Sequence, residues 1–266
     1  MAKKKANSKK TATPERWVIK AGSSMVISGG ALLIRSWMQQ IYELKVQHNI
    51  EVIWVSSGAI ASAARRTKFD RPKKTLPEKQ ALSAIGQPMV MEQYNLALQS
   101  MGLLGAQVLL TAGDMLEASR RKNLQNTLSE LLKWEVVPVL NENDAVATEE
   151  IKFGDNDHLA AKVALMMKAH RLILLTDVDG LYDADPKQNP KAELVRYLPK
   201  IKNQDFNLAG SSLSTVGTGG MKSKLLAAQE SGRQNIITHL VRGDIPHNLT
   251  AIAEGHSIGT RIGGKI

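Results

Sequence analysis

The sequence predicts an α/β fold: a mostly parallel central sheet with helices on both faces, an α/β/α sandwich. Two observations predict it. Short apolar runs of strand length alternate with segments whose apolar residues recur at helical spacing. Polar, glycine-rich motifs stand where those runs stop, at the strand ends where open parallel sheets bind ligands.

In chain order, Trp17-Val18-Ile19-Lys20 reads as a short buried strand. Residues 31–48 place Leu33, Trp37, Ile41 and Leu44 on one helical face. EVIWVS (51–56) is a second strand that ends at a glycine turn, and QVLLT (107–111) is a third. Residues 119–133 read as a helix, followed by the strand VVPVL (136–140). Residues 157–168 carry Leu159, Val163, Met166 and Met167 on a helical face ahead of the apolar strand RLILLT (171–176). Residues 220–230 read as a helix and NIITHL (235–240) as the last strand. Residues 183–218 are the least regular stretch and predict a hairpin or a mobile lid. No internal repeat is visible.

The chain has 266 residues, 43% of them hydrophobic, which suffices for one large domain with a sizeable core. It has no cysteine, which excludes disulfides and thiolate zinc sites and fits a reducing cytoplasm. The net charge of +10 first suggests nucleic acid. Its distribution weakens that reading. Residues 1–16 hold Lys3, Lys4, Lys5, Lys9, Lys10 and Arg16 against Glu15, a net +5, and the other +5 is spread over the remaining 250 residues. Aromatic residues are only 4%, too few for base-stacking platforms. No apolar run reaches the ~18–20 residues that span a bilayer. The expectation is a disordered basic tail at 1–15, a folded domain at 16–266, no membrane association and a cytoplasmic location.

Six motifs carry chemistry. Lys20-Ala21-Gly22-Ser23-Ser24 ends the first strand; glycine lets a backbone approach phosphate oxygens, and Lys20 supplies a charge. Read plainly, it is also an ordinary strand-to-helix turn. Ser56-Ser57-Gly58-Ala59 suits a helix N-terminus that attracts anions, or a simple cap. Leu140-Asn141-Glu142-Asn143-Asp144 puts four polar side chains after a buried run, suited to an amino acid's ammonium group or to an Asx turn. Phe153-Gly154-Asp155-Asn156-Asp157-His158 sets two aspartates around an asparagine at a helix entry. Thr176-Asp177-Val178-Asp179-Gly180 begins a run that is not an EF-hand, because the twelfth position counted from Asp177 is Gln188. Gly217-Thr218-Gly219-Gly220-Met221-Lys222-Ser223-Lys224 offers glycines, hydroxyls and lysines to a triphosphate, although it matches neither a Walker A loop nor a dinucleotide fingerprint.

In this order the six motifs resemble the amino acid kinase family, and within it the branch that phosphorylates the side-chain carboxylate of glutamate. The resemblance covers about residues 16–262, and QALSAIGQ (80–87) adds to it. It implies ATP as co-substrate, with magnesium expected alongside it, and L-glutamate as acceptor. It also implies proline as a possible feedback inhibitor and a homo-oligomer. Carried over by position, Lys20 contacts the transferring phosphoryl group, Lys224 is a second lysine on the phosphates, and Asp157 organises the site. Ser57, Gly58, Asp144 and Asn156 hold glutamate. Lys20, Gly22, Ser23, Thr176, Asp177 and Thr218, Gly219, Gly220, Met221, Lys222, Ser223 and Lys224 hold the nucleotide. No protein ligand for the metal can be named.

The sequence departs from the family pattern in places. Ser62 stands where a glycine is usual, and Glu117-Ala118-Ser119-Arg120-Arg121-Lys122-Asn123 replaces an arginine-rich segment, which bears on oligomer contacts and regulation. Many members carry a C-terminal PUA domain, whereas this chain stops at GTRIGGKI, so a short or truncated form is expected. Two alternatives stand beside the main reading. One is the same fold acting on another carboxylate or carbamate. The other is a nucleic-acid-binding regulator that uses the basic tail.

Overall fold

The computed structural model describes residues 13–264 except 70, 148–154, 187 and 210–219. Eight strands form one sheet: β1 (Glu15–Ala21), β2 (Ile50–Val55), β3 (Gly105–Leu110), β4 (Val137–Glu142), β5 (Arg171–Thr176), β6 (Tyr197–Leu198), β7 (Ile237–Arg242) and β8 (Thr260–Ile262). The spatial order is β3-β4-β2-β1-β5-β7-β8-β6. Every pairing is parallel except β7 with β8. The chain therefore lays down one flank from β1 through β2 to β4 and β3, then returns to the other side of β1 with β5. That reversal makes the carboxyl end of β1 the switch point where such sheets bind ligands.

Among the described residues, eight α-helices connect the strands: α1 (Ser23–His48), α2 (Ala59–Thr67), α3 (Leu76–Gln99), α4 (Ala112–Leu116), α5 (Ala118–Lys133), α6 (Asn156–Met166), α7 (Met221–Gly232) and α8 (Asn248–Ala253). Alternation along the strands sends side chains into two cores. Trp17 and Ile19 of β1, with Val52 and Trp54 of β2, meet α1, α3 and α8. Val18, Ile53, Leu172 and Leu174 meet α5, α6 and α7 on the other face. Both faces being covered is why these strands read as continuous apolar runs.

The core on the α1, α3 and α8 face holds a ladder of rings. Trp37 and Trp54 lie 5.4 Å apart between centroids, and Trp54 and Tyr94 lie 5.9 Å apart. Trp37 Nε1 donates to the Gly243 carbonyl at 2.7 Å, and Gln40 Oε1 accepts from the Leu249 backbone at 2.9 Å. These two bonds tie α1 to the segment around α8 and satisfy polar groups that would otherwise be costly to bury.

Several elements differ from the sequence expectation. The first helix starts at Ser23 rather than near 31, and it is broken at Gly30, which adopts φ 53 and ψ −151. The sequence reading places no element over 76–99, yet helix α3 runs through them with Pro88 in its interior. It begins with a capping box in which Thr75 Oγ1 accepts from the Glu78 backbone and Glu78 answers the Thr75 N–H. Strand β7 starts two residues later than expected, because Asn235 turns with φ 58. In the described part of 183–218, Leu194 bridges antiparallel to Tyr182 just ahead of the stretch, as a hairpin requires, and a 3-10 helix spans Asn203–Ala209. The basic surplus outside the tail is not evenly spread. Residues 65–79, between α2 and the start of α3, hold seven Lys and Arg against two acids. Most of the tail lies outside the described residues.

His239 in β7 is buried, and Arg171 donates Nη1–H to its Nε2 at 3.2 Å. Burial, with Arg171 and then Arg261 adding to it, lowers its pKa to about 3. The unfolded chain takes up this proton near pH 6.5, whereas the folded chain refuses it until about pH 3. Stability is therefore lost as pH falls through that window. Between pH 7 and pH 5 the wild type should lose about 2 kcal/mol more than a His239→Gln variant. Urea titration of both proteins at the two pH values checks this; equal losses would refute it.

Candidate active site

Because the inner strands are parallel, their carboxyl ends share one edge, and the N-termini of α1, α2, α6 and α7 open onto it. Gly22 caps α1 in extended backbone, and Gly58 caps α2 with φ 92, a left-handed conformation that glycine adopts without strain. Helix α2 sits close against α3: a Cβ on Gly86 would lie 1.8 Å from the Ala59 carbonyl oxygen. That contact fixes the N-terminus of α2 against the site.

The centre of the edge is a buried charge cluster. Asp157, fully buried on the first turn of α6, has Lys20 Nζ 2.6 Å from Oδ1 and Lys224 Nζ 3.0 Å from Oδ2. Ser223 Oγ lies 2.8 Å from the same Oδ2. Lys20 comes from the end of β1 and Lys224 from the first turn of α7. Burial alone would raise the Asp157 carboxyl, but the two ammonium groups outweigh it and hold it well below the usual carboxylate range. Burial pushes the Lys20 ammonium down, opposed by Asp157 and reinforced by Lys224. An arriving phosphate would raise it again. One carboxylate thus holds two cations side by side, with one net positive charge left over.

Beside this cluster is a neutral polar network. Asn156 Nδ2 lies 2.6 Å from the Ser56 carbonyl, 2.8 Å from Ser57 Oγ and 2.6 Å from Asn141 Oδ1. Asp155 caps α6 by accepting from the His158 backbone at 3.0 Å. Underneath, Ser56 Oγ approaches the Tyr94 hydroxyl at 3.3 Å, and burial pushes that hydroxyl up to about 12. It therefore stays neutral at any physiological pH.

The structure brings together Lys20, Gly22, Asp157, Ser223 and Lys224, and separately Ser57 with Asn156. Asp144 stands in the turn after β4, on the same edge. Thr176 is buried at the end of β5 and pairs Oγ1 with Asp177 at 3.3 Å, while Asp177 is exposed. Ser23, Gly220 and Met221 start their helices. Lys222 is exposed, turned away from the cluster that Lys224 joins. Thr218 and Gly219 lie outside the described residues. Sequence reasoning left out two participants, Asn141 and Asp155. Their place inside quoted motifs was the available signal.

The model of the amino acid kinase family matches residues 15–242. The chain belongs to that family. Among curated proteins it is 41% identical to the glutamate 5-kinase of Chromobacterium violaceum over 252 residues, covering 93% of this chain and 68% of that one. It is 43% identical to the glutamate 5-kinase of Trichlorobacter lovleyi over 249 residues, covering 92% and 66%. The chain spans about two thirds of the length of these amino acid kinases. The isopentenyl phosphate kinase of T. acidophilum, solved as a product complex, shares the fold with a TM-score of 0.59 at 19% identity, over 93% of this chain and 99% of that one. The family fold, an eight-stranded mostly parallel sheet between helical layers, is the one expected from the sequence. Among the described residues, no helix is long and apolar enough to cross a membrane.

Proposed function

We propose that this chain catalyses ATP-dependent phosphorylation of the L-glutamate side-chain carboxylate, giving L-glutamyl 5-phosphate, the first step of proline biosynthesis. The observation that carries the reading is the pair of lysines clamped on Asp157 at the switch point of the sheet, next to the Asn156–Ser57 network. Identities of 41% and 43% to glutamate 5-kinases support the acceptor.

The acceptor carboxylate is ionised at neutral pH, so it needs no general base. One of its oxygens attacks the γ-phosphorus, the new P–O bond forms, and the bond to the β-phosphate oxygen breaks to release ADP. The obstacle is repulsion between two anions. Lys20 meets the transferring phosphoryl group, and Lys224 steadies the charge building on the β- and γ-oxygens. Asp157 keeps both ammonium groups in place before substrate arrives. Ser57, Asp144 and Asn156 hold glutamate in line, with the helix N-termini supplying N–H groups. Among the described residues, no group of three or more His, Asp or Glu could hold a metal, and the central carboxylate is engaged by lysines. Magnesium accompanying ATP would neutralise phosphate charge alongside the two lysines.

Proline as a feedback inhibitor, assembly into a homo-oligomer and a cytoplasmic location complete the proposal. The deciding assay supplies ATP, glutamate and hydroxylamine, which captures the acyl phosphate as a hydroxamate. Hydroxamate formation with glutamate is the expected result. Product from another carboxylic acid but none from glutamate would replace the acceptor while keeping the fold's chemistry.

A further inference from the structure

The motif QALSAIGQ (80–87) has no part in the lysine cluster, yet it occupies the first half of α3, on the acceptor side of the site. Gln80 and Gln87 are seven residues apart, close to two helical turns, so both lie on one face of the helix. Each side-chain amide reaches the chain that follows β4. Gln80 Nε2 donates to the Ala147 carbonyl at 3.3 Å, and Gln87 Nε2 donates to the Glu142 carbonyl at 3.3 Å. The two carbonyls bracket residues 143–146, which include Asp144.

The bracketed segment is a single tight turn outside the sheet. The Val146 and Ala147 N–H groups both donate to the Asn143 carbonyl, at 3.2 and 3.0 Å. The Asn143 N–H donates to the Leu110 carbonyl at 2.7 Å. One helical turn is not stable by itself, so its place must be set from outside. Helix α3 can set it. Its start is fixed by the Thr75–Glu78 capping box, and its second half buries Val90, Tyr94 and Leu98 in the core.

The same helix fixes the opposite wall of the acceptor side. Gly86 packs on the Ala59 carbonyl, at the start of the helix that follows Ser57 and Gly58. Gln87 also lines a small buried cavity with Ser56, Tyr94 and Asn141, the residues that underlie the Asn156–Ser57 network. One rigid element thus spaces the Asp144 turn from Ser57 and Asn156.

We propose that Gln80 and Gln87 are positioning residues for the acceptor: through the Ala147 and Glu142 carbonyls they hold the turn that presents Asp144 to the ammonium group of glutamate. This assignment rests on the kinase reading above. A charge-assisted hydrogen bond is strong only near about 2.7–2.9 Å, so a turn that drifts loses much of the contact. The lysine clamp on Asp157 stands on β1, α6 and α7, and neither glutamine hydrogen-bonds to it. Loss of either amide should therefore weaken glutamate binding and spare the phosphoryl-transfer step.

Steady-state kinetics with the hydroxamate readout tests this. Gln80→Met removes the donor and keeps a long unbranched side chain. It should raise the KM for glutamate about fivefold, the worth of one neutral hydrogen bond, and leave kcat and the KM for ATP within about twofold of wild type. Gln80→Lys keeps a donor and should hold the glutamate KM within about twofold of wild type. Gln87→Met should raise that KM as Gln80→Met does. Ser83→Ala is the control: Ser83 lies between the glutamines on the same face, is fully buried, and its Oγ has no partner among the described residues, so the KM should not move. In an Asp144→Asn background, Gln80→Met should add less than about twofold, because the contact it positions is already weakened. An unchanged glutamate KM in both methionine variants overturns the proposal. So does an equal rise in the KM for ATP, or full additivity with Asp144→Asn. A wild-type chain that makes no hydroxamate from glutamate removes the kinase reading and this assignment with it, whereas wild-type turnover with an unmoved KM in the variants removes only the assignment.

Discussion

Alanine at Lys224 should lower the turnover number for glutamyl phosphate formation by about 10²–10³-fold, the cost of losing one electrostatic donor to a transition state. The ammonium group is buried and held 3.0 Å from Asp157, so no flexible surface lysine can take its place. Asp157 keeps Lys20 as a partner at 2.6 Å, and the fold should therefore survive the change. Because Asn156 and Ser57 lie outside the deleted contact, the KM for glutamate should move little. Steady-state kinetics with the hydroxamate readout separates the two constants. Full activity in the variant would remove Lys224 from the mechanism.

Asp157→Asn should give the largest loss of stability. The substitution leaves two ammonium groups in a buried site without a countercharge, and breaking a buried pair in this way costs about 3–5 kcal/mol. For a chain of this size that is a fall in melting temperature of roughly 10 °C. Two further measurements keep the interpretation sharp. Adding Lys20→Met to Asp157→Asn should restore part of the loss, because the double variant removes one of the stranded charges. Raising the pH should also help the single variant. Burial already lowers the Lys20 pKa in the wild type, and losing Asp157 takes away the largest influence that raises it. A group whose folded pKa lies below its unfolded value costs stability while protonated, and that cost fades as pH rises through the folded pKa. Thermal unfolding between pH 7 and pH 10 would show the recovery. A variant as stable as wild type at pH 7 would contradict the electrostatic account.

Much of the sheet was legible because β1, β2, β4 and β5 are buried on both faces, which leaves runs such as LILLT with little ambiguity. Helix α3 was not, for two physical reasons. Pro88 argues for a break, and the helix buries more than one side, with Gly86 and Gln87 toward the site and Val90 and Tyr94 toward the ring ladder, so no clean amphipathic stripe forms. Strand β8 is three residues long and β6 only two, lengths at which periodicity carries no signal. In the site, residue types were readable and adjacency was not. Lys20 and Lys224 are separated by 204 positions and meet through one carboxylate. The order of motifs named the family, whereas the clamp on Asp157 needed coordinates. Asn141 shows the same limit: its motif suggested substrate contact in general, and only the 2.6 Å approach of Asn156 gave it a partner.

The reversal of strand order at β1 also shapes how this protein is made. Synthesis delivers β1, β2, β3 and β4 first, and these can pair as they emerge. The other edge of β1 must wait for β5. Between Glu142 and Thr176 the ribosome adds 34 residues, roughly 2–7 s at ordinary elongation rates. During that interval the strand destined for the middle of the sheet is an unpaired edge with Val18 and Ile19 on opposite faces. Such an edge is a template for the wrong neighbour. The nascent half-sheet is thus the stage at which this edge is open to mispairing, and slow codons between 142 and 171 would lengthen its exposure.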